Sequence, residues 1–185
     1  MSIRSRRQFL SSAGAVTLSA TGVALLSGCA NAAKHDTEAS ATQQDVIILN
    51  TAISAEFEAV AAYQVGAQSG LLSSEVLKVA LQFQGHHKEH IEALVNAVKS
   101  LGGTAVEAKT DYDFPLDQLK NQTNVLEFAA GLERGAVSAY AGAIPVFGDR
   151  DLAAAAASIL ADEAMHWAIL RNALGLDPVP GAFFS

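Results

Sequence analysis

The sequence has few of the residues that build sheets, disulfides or nucleic-acid sites. Only one of its 185 residues is cysteine, so no intramolecular disulfide can form. Aromatic residues make up 6% and charged residues 17%, whereas half of the residues are hydrophobic. Acidic residues outnumber basic ones by 19 to 12, which argues against the basic face that nucleic acid requires. Strand-like runs are scarce and alanine is abundant, so the composition favours tightly packed helices in one domain.

The amino-terminal segment has a charge pattern of its own. Its first 28 residues contain three arginines and no acid, and Arg6 and Arg7 are followed by Phe9 and an uncharged run over 11–28. This pattern resembles a twin-arginine export signal, and the Leu-Ser-Gly-Cys sequence that ends at Cys29 resembles a lipobox. The resemblance implies cleavage before Cys29 and acylation of that residue. A transmembrane anchor is the alternative, but the run is shorter than the roughly 20 apolar residues that spanning requires.

These features divide the chain into four predicted parts. Residues 1–28 are predicted to be a signal peptide, 29–44 a flexible tether, 45–175 a helical bundle and 176–185 an irregular tail. The predicted location is the cell envelope, on the periplasmic side, with the lipid of Cys29 anchoring the protein in a membrane. Association into a homodimer is left open.

The apolar periodicity predicts an all-α fold with four helices. They are expected over about Asp45 to Gln68, from Ser73 or Ser74 to Leu101, from near Asn124 to Pro145, and over about Arg150 to Leu174. Short connections follow the first and third helices, so each pair should form an antiparallel hairpin. The link over residues 102 to about 123 is long enough to cross from one end of a four-helix bundle to the other. A short helical turn is expected after Pro115.

Titratable residues interrupt the apolar stripe of every predicted helix. Each stripe carries either one acid or a pair of residues at positions i and i+3, which face the same way on a helix. Such groups are costly to bury unless something pairs with them, and a metal ion is one such partner. The residues are Glu56 on the first helix, His87 and His90 on the second, Glu133 on the third, and Glu163 and His166 on the fourth.

The two halves of the chain repeat this pattern in register. His90 lies 34 residues after Glu56, and His166 lies 33 residues after Glu133. Two helical hairpins that each supply one mid-helix acid and one i, i+3 pair can direct all of these groups at one point. We therefore predict a metal site with pseudo-twofold symmetry. The alternative is a degenerate bundle in which Glu–His hydrogen bonds replace the metal.

Other polar residues lie close to these positions. Tyr63 and Tyr140 each follow one of the mid-helix acids by seven residues, and we interpret them as core residues or as residues that support the ligands. His86 could act as a substitute or outer ligand, although its position is about 100° around the helix from His87. Three further acids are interpreted as solvated or edge residues: Glu58, Glu92 and Asp162.

Taken together, the helices and the repeat resemble the ferritin-like superfamily, which includes ferritins, bacterioferritins, rubrerythrins and desiccation-related proteins. The family pattern is Glu, Glu-x-x-His, Glu, Glu-x-x-His on four helices, with one long crossover between the second and third. The resemblance covers about residues 45 to 175. It implies five metal ligands: Glu56, His90, Glu133, Glu163 and His166. The sixth ligand position, a glutamate in the family, is His87 here.

This departure bears on the metal. A neutral imidazole has one lone pair, so His87 cannot bridge two ions as a carboxylate does. We expect either one tightly held ion or an asymmetric pair with a weak second ion. Iron, as one or two ions, is the leading expectation, with manganese and zinc as alternatives.

Three functions are compatible with this reading. The leading hypothesis is an exported metal-binding protein whose site reacts with oxygen or peroxide, as a ferroxidase or peroxidase-like oxidoreductase would. The sequence assigns no catalytic residue. The first alternative is a non-catalytic stress-protective or interaction bundle, which His87 favours. The second alternative is a metal-buffering lipoprotein.

Overall fold

The computed structural model describes the backbone of residues 23–184 and the side chains from Ala39 onward. Residues from Ala39 form a compact unit of their own, which contains the bundle. The predicted signal residues Arg6, Arg7 and Phe9 lie outside the described residues, as does the side chain of Cys29.

Four α-helices form the described chain, which contains no strand. They are α1 (Val23–Gln68), α2 (Ser74–Ser100), α3 (Gln122–Ala143) and α4 (Arg150–Ala173). Short 3-10 turns lie in the crossover at Leu116–Gln118, after Pro115, and at the end of α3 at Ile144–Val146. The predicted all-α class and the four-helix bundle with one long crossover are confirmed.

The start of α1 differs from the prediction. The helix begins at Val23 rather than near Asp45, so residues 29–44, predicted as a flexible tether, are helical. No glycine or proline occurs between Ala30 and Val65, and the intervening Ala, Lys, Glu and Gln residues favour helix. The period of apolar residues reveals only the part of a helix that packs on other helices. The part of α1 before Asp45 has no apolar stripe, so periodicity does not predict it.

The start of α3 also differs, by two residues. Asn121 is the cap, and its side chain accepts a hydrogen bond from the backbone N–H of Asn124 at 3.0 Å. Asn124, which we expected at the helix start, therefore lies within the first turn. The signal was present in the sequence, because both asparagines can cap a helix.

The bundle part of α1 is unusually apolar. Its Ala39–Gln68 segment is long and apolar enough to cross a membrane by length and composition, and it contains an 18-residue window with a mean hydropathy of 1.3. The core helix of a bundle passes the same test. Here one face of the segment is buried against the other helices, and that face includes Leu49, Ile53 and the acid Glu56.

Two glycines end α2 and turn the chain into the crossover. Gly102 has φ of 74°, a conformation that side chains disfavour and that commonly terminates helices. Gly103 lies so close to α1 that an added Cβ would be 2.9 Å from Val46 Cγ1. The glycine pair predicted to stop the helix thus also lets the chain pass tightly beside α1.

The core consists of two apolar clusters with a polar layer between them. The first contains Val46, Leu49, Ile53, Leu94, Val98, Tyr140, Ala156 and Ile159. The second contains Tyr63, Phe83, Leu126, Ala130 and Leu170. Apart from Asp45 near the start of the packed part of α1, the buried titratable residues of each helix fall between members of the two clusters. The apolar packing therefore holds the polar layer at mid-bundle, away from both ends.

A buried acid joins the first helix to the second hairpin. Asp45 is 2% exposed, and its carboxylate accepts hydrogen bonds from the backbone N–H groups of Gly148 at 2.8 Å and Asp149 at 3.0 Å. The α3–α4 connection is tight there, because a Cβ on Gly148 would lie 2.9 Å from Ala41 Cβ. Asp45 thus fixes the start of α4 against α1, a role that its place near the predicted helix start did not reveal.

Replacing Asp45 by alanine should lower the free energy of unfolding by about 2 kcal/mol, because two backbone donors lose a charged acceptor. Urea unfolding of the metal-free protein measures this as a lower midpoint with an unchanged m-value. Glu58→Ala, at an exposed position on the same helix, is the matched control and should change stability by less than about 0.5 kcal/mol. Equal effects of the two substitutions would contradict the role of Asp45.

Candidate metal centre

The structure brings all six predicted site residues together in the polar layer. Five of them are almost completely buried, and the sixth, His90, has a side chain that is 12% exposed. Each helix contributes as the repeat predicted: Glu56 from α1, His87 and His90 from α2, Glu133 from α3, and Glu163 and His166 from α4.

The cluster divides into two overlapping groups of possible ligands. One group is Glu56, His87, His90 and Glu163, and the other is His87, Glu133, Glu163 and His166. Within each group, one ligand atom from every residue lies within 4.8 Å of the others. His87 and Glu163 belong to both groups, so the arrangement is that of two adjacent positions with a shared edge.

His87 lies between the two halves of the site. Its Nδ1 is 2.8 Å from Glu56 Oε2, and its Nε2 is 3.3 Å from Glu133 Oε1. One nitrogen therefore faces the acid of each hairpin. Glu163 Oε1 is also 3.4 Å from Nδ1.

Two tyrosines cross between the halves. Tyr140 of the second hairpin donates a hydrogen bond to Glu56 Oε1 of the first at 2.7 Å. Tyr63 of the first hairpin donates in the same way to Glu133 Oε1 of the second. The sequence interpretation placed both tyrosines in the core or in support of the ligands, and these contacts combine the two roles.

Asp162 and His86 extend the cluster towards solvent. Asp162 Oδ2 lies 3.1 Å from His86 Nδ1, 3.3 Å from His90 Nε2 and 3.2 Å from His166 Nε2. Of the two interpretations of Asp162, as a solvated or an edge acid, the second holds, because the residue lies at the edge of the cluster and contacts three imidazoles. The sequence did carry a signal: His86 and Asp162 immediately precede the i, i+3 pairs of α2 and α4, so they repeat in the same register.

The buried carboxylates keep the imidazoles of His87, His90 and His166 protonated at neutral pH. Burial lowers each imidazole pKa, but the neighbouring glutamates outweigh it and raise the pKa of His87 to about 12. They raise the pKa values of His90 and His166 to about 9. Three protonated rings then lie among the buried carboxylates and supply positive charge to the layer without a metal.

The acids and phenols respond to the same environment. Burial raises the pKa values of Glu56 and Glu163, but the nearby imidazoles outweigh it and hold both below the usual range. Burial and the adjacent glutamates raise the pKa values of Tyr63 and Tyr140. The phenols therefore stay protonated and act as donors.

The donor set fits a metal ion. In the described part of the chain, five buried side-chain atoms lack a hydrogen-bond partner, and all five lie in this cluster: His90 Nδ1, His166 Nδ1, Glu133 Oε2, Glu163 Oε1 and Glu163 Oε2. Some are close to an opposite charge without hydrogen-bond alignment, as in the 3.1 Å contact of His90 Nδ1 with Glu163 Oε1. Unsatisfied buried groups are rare in folded proteins, and a bound cation accounts for several of them at one place.

A groove reaches this layer from the surface between α1 and α3. It encloses about 540 Å³, and Glu56, His87 and Glu133 lie along its wall. Its remaining lining is mostly small or aliphatic and includes Gly131 and Gly135, where an added Cβ would meet no atom within 4 Å. Residues of the buried layer therefore form part of the groove's wall.

The chain belongs to the ferritin-like domain family, which matches residues 44–176. The match spans all the residues of the polar layer. A comparison with curated protein sequences gives no match.

Three solved structures share the fold at low sequence identity. A conserved hypothetical protein from Mycobacterium tuberculosis has a TM-score of 0.67 and 20% identity, over 77% of this chain and 99% of that one. The Desulfovibrio desulfuricans bacterioferritin, described with its diiron site, has a TM-score of 0.68 and 20% identity, over 74% and 81% of the two chains. A ferritin-like, diiron-carboxylate protein from Bacillus anthracis has a TM-score of 0.63 and 18% identity, over 72% and 97%.

The metal-free protein should lose stability as the pH rises from about 6.5 to 9. His90 and His166 have folded pKa values of about 9 against 6.5 when unfolded, so their contribution is complete below 6.5 and is lost towards 9. Each ring that is protonated in the folded state but not in the unfolded state lowers the free energy of unfolding by about 1.4 kcal/mol per pH unit. Glu56 and Glu163 act oppositely, because their lowered pKa values give stability that is lost as the pH falls below 4.5.

Urea unfolding between pH 5 and pH 9, in the presence of a chelator, measures this profile. A His90→Gln variant should show a shallower decline, by about 1.4 kcal/mol per pH unit, because one of the titrating rings is gone. A flat profile above pH 6.5 in the unsubstituted protein would contradict the assigned charges.

Proposed function

We propose that this protein is an exported, membrane-anchored ferritin-like protein that binds transition-metal ions and reacts with oxygen or peroxide. The observation that carries the proposal is the pair of overlapping ligand groups in a buried layer whose unpartnered atoms come from α2, α3 and α4. Iron is the leading candidate for the ion, with manganese and zinc as alternatives. The described diiron sites of structurally similar proteins support iron.

The ligand roles follow from the two groups. Glu56 and His90 would hold one ion, Glu133 and His166 would hold the other, and Glu163 would contact both. The bound ion would supply redox chemistry and an open position for the oxidant. Tyr63 and Tyr140 keep Glu133 and Glu56 in place by donating to one oxygen of each, which leaves the other oxygen for the metal.

Asp162 positions two of the proposed histidine ligands. In both His90 and His166 the Nδ1 atom faces the buried glutamates, while Nε2 lies near Asp162 Oδ2. A carboxylate that accepts the Nε2 proton leaves the Nδ1 lone pair directed at the centre, a common support for metal-binding histidines. The groove between α1 and α3 would give oxygen or peroxide access to the layer.

His87 makes the two positions unequal. Its two nitrogens face opposite halves, but a neutral ring offers only one lone pair. His87 can therefore ligate an ion in one group while donating a proton towards the other. We expect one ion to be held tightly and the second weakly.

The second candidate function is a non-catalytic bundle, which a specific observation favours. A protonated His87 contacts both Glu56 and Glu133, so it links the halves as a cation would. If this protein binds no metal under any condition, the non-catalytic role would be the correct one. Reversible binding of zinc or iron without turnover would assign a metal-buffering role instead.

Elemental analysis of the mature protein, purified without chelator, tests the leading proposal. We expect between one and two ions per chain in the unsubstituted protein. His87→Glu should bring the count close to two and accelerate Fe(II) oxidation, by roughly tenfold or more, because a carboxylate can bridge both positions. His87→Gln, which cannot bridge, is the matched control and should gain neither. No metal in any variant after reconstitution would remove the enzymatic proposal.

Export and anchoring are proposed from the amino-terminal sequence. Arg6 and Arg7 would direct twin-arginine export, and acylated Cys29 would hold the bundle on the periplasmic side of the cell envelope. Association into a homodimer stays a prediction.

The Cys29→Ser variant should move the protein from the membrane fraction to the soluble periplasmic fraction, because one polar side chain replaces the lipidated one. Arg6→Lys/Arg7→Lys should instead retain the unprocessed chain in the cytoplasm. Fractionation with immunoblotting and intact-mass measurement would distinguish these outcomes. An unsubstituted membrane-fraction protein whose intact mass shows neither cleavage before Cys29 nor added acyl chains would point to a transmembrane anchor.

A further inference from the structure

We propose that His86, Asp162 and His166 form an outer site for one divalent transition-metal ion, which shares His166 with the buried cluster. The sharing rests on the proposed metal binding by the buried layer, whereas the outer site itself does not. His86 and Asp162 belong to neither of the two buried groups, so this is a third position at the α2–α4 side of the bundle.

The three ligand atoms are spaced as the ligands of one ion would be. His86 Nδ1 lies 2.9 Å from His166 Nε2 and 3.1 Å from Asp162 Oδ2, and His166 Nε2 lies 3.2 Å from the same oxygen. With metal–ligand bonds of about 2.1 Å, neighbouring ligands on one ion are about 3.0 to 3.4 Å apart. The triangle needs little rearrangement to hold an ion.

Hydrogen bonding alone serves this triangle poorly. His86 Nδ1 and His166 Nε2 both lie within bonding distance of one oxygen and of each other. If both nitrogens carry protons, the 2.9 Å contact sets two donors against each other; if one does not, that ring has no proton to give Asp162. A cation in the centre satisfies one lone pair on each of the three atoms.

The donor chemistry and the exposure define the class of ion. Two imidazoles and one carboxylate form the combination that leaves open positions on non-haem iron, and imidazole also suits zinc and cobalt. The side chains of His86 and Asp162 are 32% and 24% exposed, so open positions would face solvent. His166 is held from behind by Phe83, whose ring is stacked on it at 4.0 Å between centroids.

Sharing His166 couples the two sites. Its Nδ1 faces Glu133 and Glu163 at 3.6 and 3.7 Å, while its Nε2 faces the outer triangle. A neutral ring has one lone pair, so it binds the buried ion through Nδ1 or the outer ion through Nε2. An ion at the outer site therefore weakens binding at the buried position that uses His166, and an ion at that buried position weakens binding at the outer site.

Cobalt titration of Glu133-substituted variants tests the outer site directly. Glu133→Gln removes one carboxylate from the buried group that uses His166 and so leaves the ring free for the outer ion. We expect Glu133→Gln/His86→Gln to bind one Co²⁺ fewer per chain than Glu133→Gln, measured by equilibrium dialysis and by the visible absorbance of bound Co²⁺. Glu133→Gln/Glu89→Gln, altered at an exposed position one turn along α2, is the matched control and should lose none. Equal stoichiometry in the three variants would overturn the proposal.

A measurement in the otherwise unsubstituted protein covers the case in which Glu133→Gln does not fold. His86→Gln alone should tighten Co²⁺ binding at the buried position that uses His166, by roughly fivefold or more, since the competitor is removed. Unchanged or weaker binding would overturn the sharing.

The outer site and the proposed function fail in different ways. An unsubstituted protein with no buried Co²⁺, together with an ion in Glu133→Gln that His86→Gln abolishes, would keep the outer site and reject the buried one. Buried Co²⁺ whose affinity is unchanged by His86→Gln would keep the buried site and reject the outer site that shares His166.

Discussion

The structure depends on the cost of placing carboxylates and imidazoles in the middle of a helical core. An isolated buried charge costs several kcal/mol, so each of these groups must find an opposite charge, a hydrogen bond or a metal. The chain meets this constraint by concentrating the groups in one layer, with an apolar cluster on either side. Because the buried charged groups are collected in this layer, the clusters on either side of it are apolar.

The same constraint explains why the layer is compatible with folding of the metal-free protein. Metal-binding glutamates repel one another when no ion is present, and this repulsion opposes burial. Here protonated imidazoles supply positive charge, and His87 lies between acids of both halves. A neutral His87 would offer only one lone pair to a metal ion. Stability of the metal-free protein and the proposed binding of two ions therefore place opposite demands on His87.

Much of the fold and of the buried cluster could be predicted from the sequence, because both arise from periodicity. The apolar stripes located the four helices, and the matched spacing of Glu56 with His90 and of Glu133 with His166 brought six distant residues into one layer. The helix starts at Val23 and Gln122 were missed, because capping and helix propensity are local and several neighbouring residues satisfy them. Asp162 was placed at an edge, but its contacts with three histidines were not predicted, because a one-dimensional pattern does not contain a residue's neighbours in space.

The crossed tyrosines have a consequence for how the bundle is built. Each hairpin buries a glutamate whose phenol donor belongs to the other hairpin, through Tyr140 to Glu56 and Tyr63 to Glu133. Neither hairpin alone could bury its acid with that donor in place. The two halves are thus complementary rather than self-sufficient, and the bundle gains its polar layer only when both are assembled. Separating the two hairpins would therefore expose both glutamates and both phenols at once.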